Sequence, residues 1–183
     1  MTNTEVKFHS KWVHFYLAFQ RPRIGNRGCL RMVIRDEDVD LDVLELRCRL
    51  LGGTWRIHKT VNARDCDKAL NRLMHKLIDN PEFASRVDSE WRSILLQRDC
   101  VYGETKFMLD VDTKDVDKII ELEELIDHSD GIVDWRVETP KGWHFITNGF
   151  DTRKVCELPY VTLLRDGYYF IKQIGGGTNE EEK

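Results

Sequence analysis

The sequence predicts a mixed α/β fold of the α+β kind, built as one domain of a 183-residue chain. Three observations carry that expectation. Short β-forming runs bounded by turn residues recur along the chain. One stretch in the first half places apolar residues at helical spacing, and Asn80-Pro81 then starts a second helix. An apolar strand at 105–112 is followed by one helical pattern and then by two hairpin-like pairs of runs. The length is enough for one real core and short for two.

Taken in order, runs 12–20 and 29–35 read as strands, joined by the turn-rich Arg21-Pro-Arg-Ile-Gly-Asn-Arg-Gly28. Runs 44–50 and 54–61 read as a second pair around Gly52-Gly53. Asn62 is placed to cap a helix over about 63–79, with Ala69, Leu70, Leu73, Leu77 and Ile78 inward. Asn80-Pro81 ends that helix and starts another running to about Gln97. After strand 105–112, Thr113 caps a helix with Val116, Ile119, Ile120 and Ile126 inward. Runs 132–138 and 143–147 form a hairpin around Pro140-Lys-Gly142. Runs 160–165 and 168–173 form another around Asp166-Gly167, a dipeptide that tight hairpins select. Residues 175–183 read as an acidic tail with no core-forming side chains.

The expected domain therefore spans 1–174, with a basic β-rich and helical unit over 1–100 and a second half over 101–174. That half begins strand, helix, strand, strand, which is the start of a ferredoxin-like or RRM-like arrangement. Helices would cover one sheet face and leave the other open.

Composition excludes several classes. No apolar stretch approaches the roughly twenty residues that span a membrane, so no membrane partner is expected. The N-terminus lacks the apolar segment of a signal peptide. Five cysteines, at 29, 48, 66, 100 and 156, form no CxxC pair, so reduced thiols in a cytoplasmic protein are the simplest expectation. The net charge of −4 conceals an asymmetry: residues 1–35 carry seven Lys/Arg against Glu5, and residues 47–76 carry eight against Asp65 and Asp67. A basic first half and an acidic second half suit a protein that gathers phosphates and also holds a metal, although solvated faces give the same pattern. A pI near 5.9 argues against tight non-specific duplex binding.

The densest chemistry lies in Thr105-Lys-Phe-Met-Leu-Asp-Val-Asp-Thr113 and Thr139-Pro-Lys-Gly-Trp-His-Phe145. Strand alternation puts Asp110 and Asp112 on one side of the sheet, about 6–7 Å apart, and Phe107, Leu109 and Val111 on the other. Two carboxylates at that spacing repel unless a cation sits between them, and a hard divalent ion prefers such oxygens. The alternative is a strand that runs out of the core into solvated acids. His144, just after Lys141 and Gly142, would add an imidazole and an ammonium suited to a phosphorylated ligand, or it is a structural strand histidine.

The order Phe-Met-Leu-Asp-Val-Asp, then Thr-Pro-Lys-Gly-Trp-His-Phe, then an acid after an apolar strand resembles the archaeo-eukaryotic primase superfamily, which includes phage and plasmid primase-polymerases. The resemblance covers roughly residues 105–170. It implies a DNA primase or polymerase-like nucleotidyltransferase acting in replication, with Asp110, Asp112 and His144 as catalytic residues. Asp110 and Asp112 would bind Mg2+ or Mn2+, with Asp166 as third metal-binding acid. Asp134 or Asp151 could stand in for Asp166, whose Asp-Gly setting also suits a plain turn. Lys141, His144 and Arg165 would contact the nucleoside triphosphate. The basic segment containing Arg56, Lys59, Arg64 and Lys68 would form a wall for the single-stranded DNA or RNA template. His58 reads equally as an exposed strand residue or a contact, and Trp55, Trp91 and Trp143 read as core. The chain is short for that family, so a separate helicase or replication protein would be an expected partner. Two other classes stay open: a non-catalytic single-stranded nucleic-acid-binding module, and a metal-dependent nuclease or nucleotidase.

Overall fold

The computed structural model describes residues 11–20, 29–34 and 37–175; the expected turn at 21–28 and the tail beyond Gly175 lie outside the described residues. The first half runs β1 (Trp12–Gln20), β2 (Cys29–Ile34), α1 (Glu37–Leu51), β3 (Trp55–Thr60), β4 (Arg64–Asp65), α2 (Cys66–Asp79) and α3 (Val87–Leu95). The second half runs β5 (Phe107–Val111), α4 (Val116–Asp127), β6 (Val133–Glu138), β7 (Trp143–Thr147), β8 (Val161–Leu164) and β9 (Tyr168–Ile174). The fold is mixed α+β, with two antiparallel sheets.

The first sheet has the order β2-β1-β3-β9, with β4 pairing the start of β1. Its two faces follow from strand alternation. Val13 and Phe15 pack with Ala69 and Leu73 of α2 and Ile94 and Leu95 of α3. Tyr16 and Ala18 point the other way, onto Leu44 and Cys48 of α1, together with Trp55, Ile57 and Ile174. Each such large side chain contributes about 1.5–3 kcal/mol by leaving water.

The second sheet has the order β6-β7-β5-β8. β5 and β6 both run antiparallel to β7, so they are parallel to each other, and α4 carries the chain between them. Leu109, Val111 and Phe145 meet Leu122 and Ile126 of α4 on one face. On the other face, Met108 and Ile146 meet Val61, with Tyr169 of β9 packed against them. That second face is therefore covered by the first sheet, where the sequence suggested an open one.

Asn62 helps to join the sheets. Its amide donates to the Lys106 carbonyl at 3.1 Å and accepts from the Lys106 N–H at 2.8 Å, pinning the approach to β5. Arg64, 1% exposed, pairs with Asp166 at 2.5 Å, and Asn62 donates to the same carboxylate at 3.3 Å.

Several elements differ from the sequence reading for identifiable reasons. Residues 44–50 lie in α1, because Leu44 and Cys48, four apart, are buried while Leu46 and Leu50 are exposed. Gly52, at φ +66°, stands just past that helix and donates to the Arg49 carbonyl, so it closes a helix. Asp65, not Asn62, caps α2, accepting from the N–H groups of Asp67 and Lys68. Leu70 and Ile78 of α2, and Val116 and Ile120 of α4, face solvent. The helix from Pro81 is a 3₁₀ turn (Pro81–Arg86) followed by α3. Asp115 replaces Thr113 as the cap of α4. β8 and β9 do not pair as a hairpin: β8 joins β5, β9 joins β3, and Asp166-Gly167 carries the chain from one sheet to the other.

Candidate functional site

β5 changes character along its length on the face turned to the first sheet. Met108 is buried, Asp110 is half-buried and Asp112 is exposed, so the strand leaves the apolar contact and enters a cleft. Asp110 and His144 are direct partners across β5 and β7, which places their side chains side by side on that face. His144 Nε2 lies 3.4 Å from Asp110 Oδ1. On the other flank of Asp110, Thr162 of β8 is its partner. Asp112 makes no hydrogen bond or ion pair through its carboxylate among the described residues.

The Thr139–Gly142 turn closes this end of the cleft. Thr139 N–H donates to the Gly142 carbonyl at 2.8 Å, and Gly142 N–H donates to Thr139 Oγ1 at 3.1 Å. A Cβ on Gly142 would stand 1.9 Å from the Val111 carbonyl oxygen and 2.8 Å from the Thr113 nitrogen. Glycine is needed here because the backbone of the turn rests on the end of β5 beside Asp112. Lys141, exposed, lines the cleft from this turn.

The first sheet supplies the opposite wall through Arg56 and His58 of β3 and Phe170 of β9. The register between these strands shifts between Ile57 and His58, so β9 carries an extra residue beside Phe170. At this bulge the Phe170 N–H donates to His144 Nδ1 at 3.1 Å. An imidazole whose Nδ1 accepts carries its proton on Nε2, so His144 presents an N–H toward Asp110 and the cleft. His58 sits edge-on to Phe19 and Phe170, each ring 5.8 Å away. Burial, then the nearby His144, pushes its pKa down from 6.5 to about 4, against a backbone contact from Arg56 that raises it.

The structure thus brings Asp110, Asp112, Lys141, His144 and Arg56 to one cleft, and it does not bring the other expected residues there. Asp166 lies beyond the far end of β8, held by Arg64 and Asn62. Asp134 pairs with Lys106, and Asp151 with Arg153, which holds its carboxyl down to about 2. Each candidate third acid already has a cation of its own and none lines the cleft. Arg165 is exposed in the crossover turn beside Asp166. Arg64 is buried in its ion pair and not free at a helix terminus. Lys59 is buried with its ammonium over the Tyr16 ring, 5.6 Å from the centroid, on the sheet face away from the cleft. Lys68 is exposed and pairs with Asp65. Phe170 and Thr139 were missed by the sequence reading; alternation along β9 puts Phe170 on the same face as its partner His58.

The cavity measures about 150 Å³. It has room for a hydrated cation or a phosphate group, and its mouth is open to solvent. Among the described residues no three His, Cys, Asp or Glu side chains converge to hold a metal. The donor chemistry nonetheless fits magnesium or manganese, which take one or two carboxylates and complete their shell with water and phosphate oxygens. Asp110 and Asp112 are the residues that would hold it.

No protein-family model, no curated protein and no solved structure matches this chain. Among the described residues, no helix is long and apolar enough to cross a membrane.

Proposed function

We propose that this protein is a metal-dependent nucleotidyltransferase of the primase-polymerase type, joining nucleotides on a single-stranded template. One observation carries the reading: Asp110 and His144 are cross-strand partners at the mouth of a cleft that also holds Asp112, Arg56 and Lys141. Carboxylates and cations together, at one phosphate-sized cavity, suit a ligand that brings its own negative charge along with a divalent ion. We read the order β6-β7-β5-β8 as a ferredoxin-like sheet whose second helix is shortened to the turn Val155–Glu157.

In this reading Asp110 and Asp112 hold the ion. A bound magnesium or manganese supplies a lowered pKa for the attacking hydroxyl and charge neutralisation on the triphosphate. Lys141 and Arg56 grip phosphate oxygens from opposite walls. His144, its ring fixed through Nδ1, directs Nε2–H at the phosphate or at Asp110 and so aligns the displacement. The protein supplies position and charge, which is most of what phosphoryl transfer needs.

A non-catalytic nucleic-acid-binding module is the second reading. It is favoured by Thr162, a hydroxyl beside Asp110 where a third carboxylate would complete a two-ion site. Incubation with single-stranded template, labelled nucleoside triphosphates and either metal separates the two readings: chain extension supports transfer, nucleotide release without extension points to hydrolysis, and neither leaves the binding module.

A further inference from the structure

The acid cleft shares its sheet face with a second, larger cavity. About 430 Å³ lies between the first sheet and α3, within the range of ligand pockets and roughly three times the cleft. Its floor is apolar, made by Phe15 and Leu17 of β1 with Leu96. α3 turns Ser89, Arg92 and Ser93 toward it, at helical spacing, and these serines leave room where a larger residue would fill the space. β2 contributes Arg31, the cross-strand partner of Leu17. Tyr168 closes the end nearest the cleft.

Charge separates this groove from an ordinary gap between helix and sheet. No carboxylate lines it, and neither Arg31 nor Arg92 makes an ion pair among the described residues. Two guanidinium groups over an apolar floor with one aromatic ring match a ligand made of phosphates and flat bases. The groove also leads somewhere. Leu17 is the cross-strand partner of His58, which lines the acid cleft. Tyr168 and Phe170 stand two residues apart on β9, a step of roughly 7 Å, one at each cavity. The two cavities thus have neighbouring lining residues on one face of the first sheet.

We propose that the groove between α3 and the first sheet binds a segment of single-stranded nucleic acid, with Arg31 and Arg92 on its phosphates and a base against Tyr168 and the apolar floor, and delivers it to the acid cleft. The inference rests on the reading of the cleft as a nucleotidyl-transfer site. It replaces Arg64 and Lys59, both buried, as the residues that would carry the strand.

The test is fluorescence anisotropy of the whole protein with labelled oligothymidine and oligouridine twelve-mers over a range of salt. Arg31→Ala/Arg92→Ala should weaken binding about ten-fold or more and flatten the dependence of log K on log salt by about 1.4, since each phosphate contact on a single strand contributes about 0.7. Tyr168→Leu should weaken binding about five-fold or more and leave the salt slope unchanged, because stacking releases no counterions. Arg47→Ala/Arg98→Ala, a charge-matched pair of exposed arginines outside the groove, should change little. An equal loss in both arginine pairs, no loss in the groove pair, or a wild-type protein that binds neither oligomer overturns the proposal. Asp110→Asn keeps the two ideas apart. Arginine-dependent binding without any nucleotide incorporation sinks the transfer reading and leaves the groove. Asp110-dependent incorporation with binding indifferent to Arg31 and Arg92 does the reverse.

Discussion

The backbone N–H of Phe170 donates to His144 Nδ1 at 3.1 Å, so a strand of the first sheet fixes the ring of a residue in the second. The bond fixes which nitrogen of His144 faces Asp110, and it lies beside the bulge in β9, the edge strand of its sheet. Removing the ring should therefore have two separable effects. His144→Ala leaves a part-buried N–H unpaired and should cost roughly 1–3 kcal/mol in urea unfolding. His144→Asn keeps an oxygen acceptor near the Nδ1 position and should recover most of that loss while nucleotide incorporation stays low. Recovery of incorporation with Asn would show that Nε2–H has no part in the chemistry.

Asp166 is predicted to act as a clamp and not as a metal ligand. Asp166→Ala strips the partner from the buried guanidinium of Arg64, whose Nε and Nη1 already lack hydrogen bonds. Stability should fall by roughly 2–4 kcal/mol, somewhat under the full cost of an enclosed pair because the carboxylate is 28% exposed. Manganese affinity, followed by the free-ion EPR signal, should not change. Loss of affinity at unchanged stability would restore Asp166 to the metal site.

Gly142 should be intolerant of the smallest side chain. The 1.9 Å approach to the Val111 carbonyl is to backbone, which cannot swing aside, so Gly142→Ala should cost roughly 2–3 kcal/mol and weaken manganese binding as the end of β5 shifts. Its exposed neighbour offers the control. Lys141→Ala should stay within about 0.5 kcal/mol in thermal unfolding while raising the KM for nucleotide.

His58 predicts a pH dependence. Its pKa is about 4 in the fold against an ordinary 6.5, so between those values the unfolded chain binds the extra proton and stability rises with pH. The contribution is complete above about pH 6.5 and is lost as pH falls toward 4, on the order of 3 kcal/mol in all. His58→Gln should flatten the slope of unfolding free energy in that window. A variant that keeps the wild-type slope would assign the acid sensitivity elsewhere.

What the sequence disclosed depended on whether the signal was local. The alternation Phe107-Met-Leu-Asp-Val-Asp112 separates Leu109 and Val111 from Asp110 and Asp112, and β5 places them so; it does not disclose that Met108, on the acids' face, is buried against the first sheet. Leu44-Glu-Leu-Arg-Cys-Arg-Leu50 fits both a two-residue and a four-residue period; the helix prevails because α1 packs Leu44 and Cys48 on the first sheet and ends at Gly52. Asp166-Gly167 marks a tight reversal but carries no information about which strands its neighbours join. The roles of Asn62, Arg64 and Phe170 lie in contacts 26 to 104 positions away along the chain, which no local pattern encodes. The groove beside α3 was hidden for a related reason. Ser89, Arg92 and Ser93 lie on α3, and the groove's other wall comes from β1 and β2, more than fifty positions earlier in the chain.

The most direct measurement is primer or de novo extension on single-stranded template with labelled nucleotides and manganese, comparing wild type with Asp110→Asn. The wild type should extend chains, and Asp110→Asn should reduce extension by at least about a hundred-fold at unchanged folding and nearly unchanged strand binding, since binding comes from cations and not from this carboxylate. Extension that survives in Asp110→Asn, or a wild type that extends nothing on any template with either metal, would contradict the assignment of the cleft.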